Sequence, residues 1–365
     1  MKQNPLKNMR KFVFLAVLGF AIASINSAAI FPLAASEFPT AAVAADRTFA
    51  SRDTPNLETT QQPNNLNSSS LFWDLKNPPA ISYVQLLDVL TGRSEPHNRD
   101  TEIIAQSEDL ARFDRVIEYA QKHNLYGRSM GEIVQAIADN FLGKPYAEGL
   151  LDKSNEEKLI VTLNKFDCVL FVETVLALSR GIAVKDYNYQ NFVRRIEEQR
   201  YSNGKMNGYC SRLHYFSEWI GDNQKRQTVE NITAQLGGIP MDKKLNFMSQ
   251  HRSSYPQMAR DEATYQCRVG VEADLAKNTM SYIPTNRIKS VYSQLKPGDI
   301  VAVATDIKGL DVTHTGFAYR NAGGNIGLIH ASPAGEVTVA DDLHRYISRV
   351  ENATGIVVAR AIDPR

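Results

Sequence analysis

The chain has 365 residues, 43% of them hydrophobic and 22% charged, with a formal net charge of +1. That length and mix suffice for a full hydrophobic core, in one large domain or two small ones. The near-zero charge, without a Lys/Arg stripe interleaved with aromatics, argues against a nucleic-acid partner.

The N-terminus reads as an export signal. Lys2, Lys7, Arg10 and Lys11 form a basic start, and "FVFLAVLGFAIASI" (Phe12 to Ile25) is apolar but short for a membrane span. Small residues follow, and "AAVAAD" offers A-x-A cleavage sites before Asp46. Residues 1–45 are therefore expected to be a cleaved secretory signal, with an uncleaved anchor as the alternative. Cleavage leaves no membrane span and a net charge of about −2, and places the protein in the periplasm or cell envelope. Residues 46–70 are polar and rich in Pro, Asn, Ser and Thr. They cannot bury enough apolar surface to offset ordering entropy and read as a flexible linker.

Residues 71–365 are expected to form one domain. "SEDLARFDRVIEYAQKHN" (Ser107 to Asn124) places Leu110, Phe113, Val116, Ile117 and Ala120 at helical spacing. "SMGEIVQAIADNFLG" repeats the pattern, with Ser129 and Glu132 as a capping box and Gly143 as a C-cap. A third helix runs from about Val169 to Arg180; "YNYQNFVRRIEEQR" and "SRLHYFSEWIGDN" are a fourth and a fifth. Past Ile283 the texture changes to strands. "LKPGDIVAVAT", "DVTHTGFAYR", "IGLIHAS" and "EVTVA" are separated by Gly, Asn and Pro turns; a short helix, "DLHRYI", and a last strand, "TGIVVARAI", follow. Helices segregated from a mainly antiparallel sheet make an α+β fold.

The chain has three cysteines, Cys168, Cys210 and Cys267. An odd number in an exported protein points to an intermolecular bridge or a reactive thiol. Cys210 and Cys267 could pair, or all three could remain thiols; spacing does not decide. Cys168 follows Asp167, a favoured N-cap residue. In an apolar run it could simply fill core. At a helix start, the dipole and backbone N–H groups would instead stabilise a thiolate, lower its pKa and hold an oxyanion. A thiol nucleophile needs a base, itself oriented by a third group. His314 and His330 lie on expected strands joined by a short turn, which would bring both imidazoles to one face. No H-E-x-x-H or C-x-x-C motif occurs, and His97, His123, His251 and His344 are scattered, so no metal or other cofactor is expected.

"FDCVLFVE", "LKPGDIVAVAT", "HTGFAYR" and "LIHAS", in that order, resemble the NlpC/p60 superfamily of papain-like cell-wall hydrolases. "FLGKPYAEGLLD", "RLHYFSEWI" and "GLDVTHTGF" resemble its N-acetylmuramoyl-L-alanine amidase-like branch. The resemblance runs from about residue 100 onward. It implies a papain-like NlpC-type fold with Cys168 as nucleophile, His314 as general base then acid, and His330 orienting His314. Tyr146 in "GKPY" would be a substrate or oxyanion contact, or a packed tyrosine. Arg212 and His214, with Trp219, would hold a wall fragment or pack helices. Asp299 would tighten a turn. Val169 departs from the small or polar residue common after the nucleophile, which bears on specificity more than chemistry. The implied reaction cuts the muramyl–L-alanine amide of peptidoglycan or its muropeptide fragments through a thioester. A stem-peptide endopeptidase, a wall-binding module and an acyltransferase are the competing readings.

Overall fold

The computed structural model describes residues 107–365. The expected signal (1–45), the linker (46–70) and the start of the expected domain (71–106) lie outside the described residues.

Five helices come first. Helix α1 (Ser107–Lys122) buries Phe113, Val116, Ile117 and Ala120, the stripe that its spacing predicts. Helix α2 (Met130–Asp139) begins at the expected capping box, the Ser129 N–H donating to Glu132 Oε2 at 3.0 Å. It stops earlier than predicted, at Asp139; Gly143 lies in the turn beyond with φ +75°. Helices α3 (Cys168–Ala183), α4 (Tyr189–Arg200) and α5 (Phe216–Lys225) follow. Two short strands, β1 (Val229–Asn231) and β2 (Ile239–Met241), lead to three more helices, α6 (Phe247–Gln250), α7 (Pro256–Arg260) and α8 (Glu262–Leu275). The remaining strands are β3 (Met280–Pro284), β4 (Ile300–Thr305), β5 (Val312–Arg320), β6 (Ile326–Ala331), β7 (Val337–Ala340) and β8 (Ala353–Ala361), with helix α9 (Leu343–Ile347) before the last. Among the described residues no helix is long and apolar enough to cross a membrane.

The strands form one eight-stranded sheet in the order β2-β3-β8-β4-β5-β6-β7, with β1 also against β8, and every strand pairing is antiparallel. The α+β reading therefore holds. Both sheet faces are covered. On β4, Ile300, Ala302 and Ala304 join the core shared with α1 to α5, while Val301 and Val303 join a second core that includes Leu343 and Ile347 of α9. The turn into β4 needs its glycine. Gly298 has φ +75°, and a Cβ there would sit 2.6 Å from the Gly131 carbonyl oxygen. Asp299 closes this turn as expected, accepting the Lys296 N–H at 2.8 Å and pairing with Arg360.

Helix α3 is enclosed, with every residue except Val169 and Arg180 buried. A chain of edge-on rings packs it against the sheet: Phe141 to Phe166 at 5.2 Å, Phe166 to Phe171 at 5.9 Å, Phe171 to Phe317 of β5 at 5.8 Å. It also carries a buried charge. Glu173 is bound by Arg200 of α4 at 2.8 Å and accepts from the Trp219 indole at 3.3 Å. Arg200 is equally buried and spends another donor on the Ile160 carbonyl.

Helices α6 to α8 build a third core around Tyr215, Leu245, Phe247, Met258 and Leu310. The question of cysteine pairing is answered there. Cys210 and Cys267 form a disulfide with Cα atoms 6.3 Å apart, tying the turn at Tyr209–Ser211 to α8. Beside it Arg268 donates to Glu218 and to the Cys210 carbonyl. In the same region Lys243 donates its ammonium to the carbonyls of Thr305, Ile307 and Leu310, gathering the β4–β5 loop that leads into β5.

Two outcomes follow from these contacts. Closing a loop with 57 residues of sequence separation is worth about 4 kcal/mol on the chain-entropy model. Denaturant unfolding of a Cys210→Ser/Cys267→Ser variant should thus show a loss of about 2–4 kcal/mol, and an unchanged midpoint would contradict this. Arg200→Ala leaves Glu173 charged and buried, and should cost about 3–5 kcal/mol by the same measurement.

Candidate active site

Helix α3 starts where it does because Asp167 caps it. Asp167 is extended (φ −87°, ψ −179°), and its Oδ1 accepts the Leu170 N–H at 2.8 Å. Cys168 is thereby the first helical residue, fully buried and outside the disulfide. The segment before the cap is tied to Tyr146: the Phe166 N–H donates to the Pro145 carbonyl at 3.0 Å and the Ala147 N–H to the Phe166 carbonyl at 2.9 Å. The Tyr146 N–H also reaches the Gly335 carbonyl, in the β6–β7 turn, at 2.7 Å. Tyr146 is thus fixed between the helix cap and the sheet. Its hydroxyl is buried without a hydrogen-bond partner, in the field of Cys168 and Asp167.

The two histidines come from β5 and β6. His314 lies opposite Val303 of β4, and His330 opposite Thr338 of β7. Between them stands Gly316. A Cβ there would lie 2.8 Å from the His330 Cβ and 2.6 Å from the Ile329 carbonyl oxygen, so the H-x-G spacing clears room for the second imidazole. The rings meet edge to face with centroids 4.8 Å apart, and His314 Nε2 is 2.7 Å from His330 Nδ1. One of these nitrogens donates and the other accepts. The β5–β6 ladder ends at the Phe317–Ile329 pair, short of Thr315. The Thr315 N–H hydrogen-bonds the Cys168 sulfur. Since Thr315 adjoins His314 in the chain, the thiol reaches the sheet beside the histidine pair.

The electrostatics correct one expectation. Burial pushes the Cys168 thiol up, and the nearby Asp167 carboxylate adds to this; the N–H groups of Thr315, Cys168 and Val169 work the other way but are outweighed. Desolvation defeats the helix start. Burial likewise raises Asp167 to about 7. It holds His314 well below 6.5, with help from His330, and His330 at about 4. The resting site is a neutral thiol beside two neutral imidazoles.

Arg212 and His214 are not brought to this cluster. The Arg212 guanidinium is occupied by Asp152, Glu157 and the Leu151 carbonyl, and lies 4.8 Å over the Tyr209 ring. It holds the turn at Leu150–Asp152 in place. His214 stacks on Tyr209 at 4.6 Å with Nε2 3.3 Å from the Tyr209 carbonyl, and Trp219 packs flat on Phe216. These contacts are those of packing. One residue of the cluster escaped the sequence reading. Tyr346 of α9 lies with its ring centroid 4.8 Å from His330 and 6.2 Å from His314, within the field of Cys168. Its only signal was an aromatic residue in a short helix next to the sheet.

Comparison with known proteins matches this arrangement to solved structures. An N-acetylmuramoyl-L-alanine amidase from Bacteroides uniformis superposes with a TM-score of 0.60 at 28% identity, covering 64% of this chain and 99% of its own. A Bacteroides fragilis protein named as a candidate xylanase gives 0.57 at 30% identity, covering 62% and 99%. A Legionella pneumophila protein shares the fold, with a TM-score of 0.51 at 21% identity and coverage of 70% and 97%. No curated protein sequence matches the chain. The family model for AmiA-like, N-acetylmuramoyl-L-alanine amidase-like proteins matches residues 136–356. That span includes Cys168, His314, His330, Tyr146 and Tyr346, and the chain belongs to this amidase-like family.

Proposed function

We propose that this chain is a cysteine-dependent N-acetylmuramoyl-L-alanine amidase with a papain-like, NlpC-type catalytic core. It would act on peptidoglycan or muropeptide fragments in the cell envelope. The observation that carries the reading is the 2.7 Å pair of His314 and His330 beside a thiol at a capped helix start. The disulfide suits an oxidising compartment, in keeping with export. Glycoside hydrolysis ordinarily uses two facing carboxylates; a thiol with two imidazoles is equipped for acyl transfer instead.

In this mechanism His314 donates Nε2–H to Nδ1 of His330, so that its own Nδ1 is the basic nitrogen. As the scissile carbonyl arrives, Cys168 gives its proton to His314 and attacks. The tetrahedral oxyanion is held by the N–H groups at the start of α3 and by the Tyr146 hydroxyl, whose missing partner the substrate supplies. His314 returns the proton to the leaving L-alanine amine, and water then hydrolyses the thioester. Neutral resting groups fit this order, because charge appears only when the carbonyl is in place.

Incubating the protein and a Cys168→Ala variant with muropeptides, with products read by mass spectrometry, tests the reading. Stem peptide beginning with L-alanine, released at least about 10³-fold more slowly by the variant, is expected. Cleavage within the stem would reassign the bond to an endopeptidase, and binding without cleavage would leave a wall-binding module. Tyr146→Phe removes an unpartnered buried hydroxyl, so stability should hold or rise slightly while kcat falls about 10²-fold; equal kcat would remove Tyr146 from the oxyanion role. The pH profile of kcat/KM follows from the imidazoles. The base must be neutral, and burial keeps His314 and His330 neutral to lower pH than usual. Activity should therefore persist below pH 6, with its acid limb well under 6.5. An acid limb at 6.5 or above would contradict the buried pair.

A further inference from the structure

Tyr346 stands apart from the residues that the mechanism uses, yet it touches two of them. It sits on α9, a single short turn of helix fixed independently of the catalytic residues. Asp342 caps the turn by accepting the Arg345 N–H, Leu343 and Ile347 are buried in the second core, and the His344 N–H donates to the Tyr292 hydroxyl at 2.7 Å. The ring so held meets His330 at 4.8 Å, closer than it meets His314 at 6.2 Å. It covers the pair from the sheet face that carries α9. Cys168 and its cap belong to the start of α3, and Tyr146 is tied to the segment just before that cap.

We propose that Tyr346 is a positioning residue of this site: its ring, laid against His330, fixes the orientation of the imidazole pair and keeps water off it. The proposal rests on the reading of His314 as the base that accepts the Cys168 proton. Its logic is one of support. His330 orients His314 through a single hydrogen bond, and an imidazole held by one bond can still turn about it. A ring packed against it, its plane tilted 58° to the imidazole, removes that freedom. The groups facing the pair are few. The shift of His314 comes from burial and His330, and that of His330 from burial. Cys168 of α3 reaches the N–H of Thr315, the neighbour of His314, with Asp167 and Tyr146 in the field of the thiol, and Tyr346 comes from α9. No charged side chain among the described residues offsets the dryness of the two imidazoles, so the wall that keeps them dry matters.

The test compares Tyr346→Phe, Tyr346→Leu and Tyr346→Ala in the full chain. Imidazole titrations by NMR, with the proton shared by His314 and His330, are read without any substrate. The Phe variant should keep the wild-type titration and a kcat/KM within about twofold. The Leu and Ala variants should titrate at least about one pH unit nearer 6.5 and lose the slowly exchanging shared proton. Their kcat should fall about 10–100-fold with KM little changed, as misplacement of a base predicts. Leu keeps α9 filled should the Ala variant unfold. Unaltered imidazole titrations in Leu and Ala would overturn the proposal. So would a Phe variant as impaired as Ala, which would move the role to the hydroxyl. Because the titrations need no wall substrate, an error in the amidase reading would leave them intact and show only in the kinetics.

Discussion

The structure is organised by the complete enclosure of one helix. Helix α3 is walled in by α2 and α4, the aromatic chain and the sheet, and each of its peculiarities is a response to that. Its first-turn N–H groups cannot reach water, so Asp167 accepts one of them. Its one carboxylate, Glu173, cannot be solvated, so Arg200 and Trp219 are drawn in to meet it. The same dryness acts on the thiol at its head. A cysteine at an exposed helix start would be an easy thiolate; here loss of water outweighs the dipole, and the thiol is held in its protonated form.

The two imidazoles meet where the ladder between β5 and β6 ends. Up to the Phe317–Ile329 pair, β5 and β6 are joined. Beyond it the strands are no longer paired, Thr315 turns its N–H to the sulfur, and the glycine at 316 lets two imidazoles share a space that would ordinarily hold one side chain. The helix start and the end of the ladder both turn backbone donors toward the sulfur, the N–H groups of Cys168 and Val169 from one and that of Thr315 from the other.

Much of this was legible in the residues. The helices α1 to α5 and the strands β4 to β8 follow from apolar spacing and turn residues, because each is long enough for periodicity to show. Cys168, His314 and His330 stand out by their order and contexts; the fold pairs the two imidazoles from neighbouring strands and brings the thiol to the N–H of Thr315. Residues 229–284 were not legible. Their strands of three to five residues and helices of four or five carry too little periodicity, the 14-residue α8 buries Arg268 and Glu272 rather than an apolar stripe, and long-range contacts such as the Cys210–Cys267 bridge and Lys243 hold the segment. Arg212 and His214 illustrate the converse: charged and aromatic residues in a motif read like a ligand surface, but their donors are spent on Asp152, Glu157 and the Tyr209 carbonyl. The direction of the thiol shift was missed because a sequence states what is near a cysteine along the chain and not how much water is gone.

Lys243 has a bearing on the site that its distance in sequence conceals. Three carbonyl oxygens converging on one ammonium form the kind of cage that often holds a dissolved monovalent ion, and here the chain supplies the ion itself. A covalently carried counter-charge has a fixed local concentration that dilution does not lower. The loop it gathers ends at Asp311, whose carboxylate takes the Ser217 and Val312 N–H groups just before β5 begins. The entry of the strand bearing His314 is thus held by a cation that belongs to the chain itself.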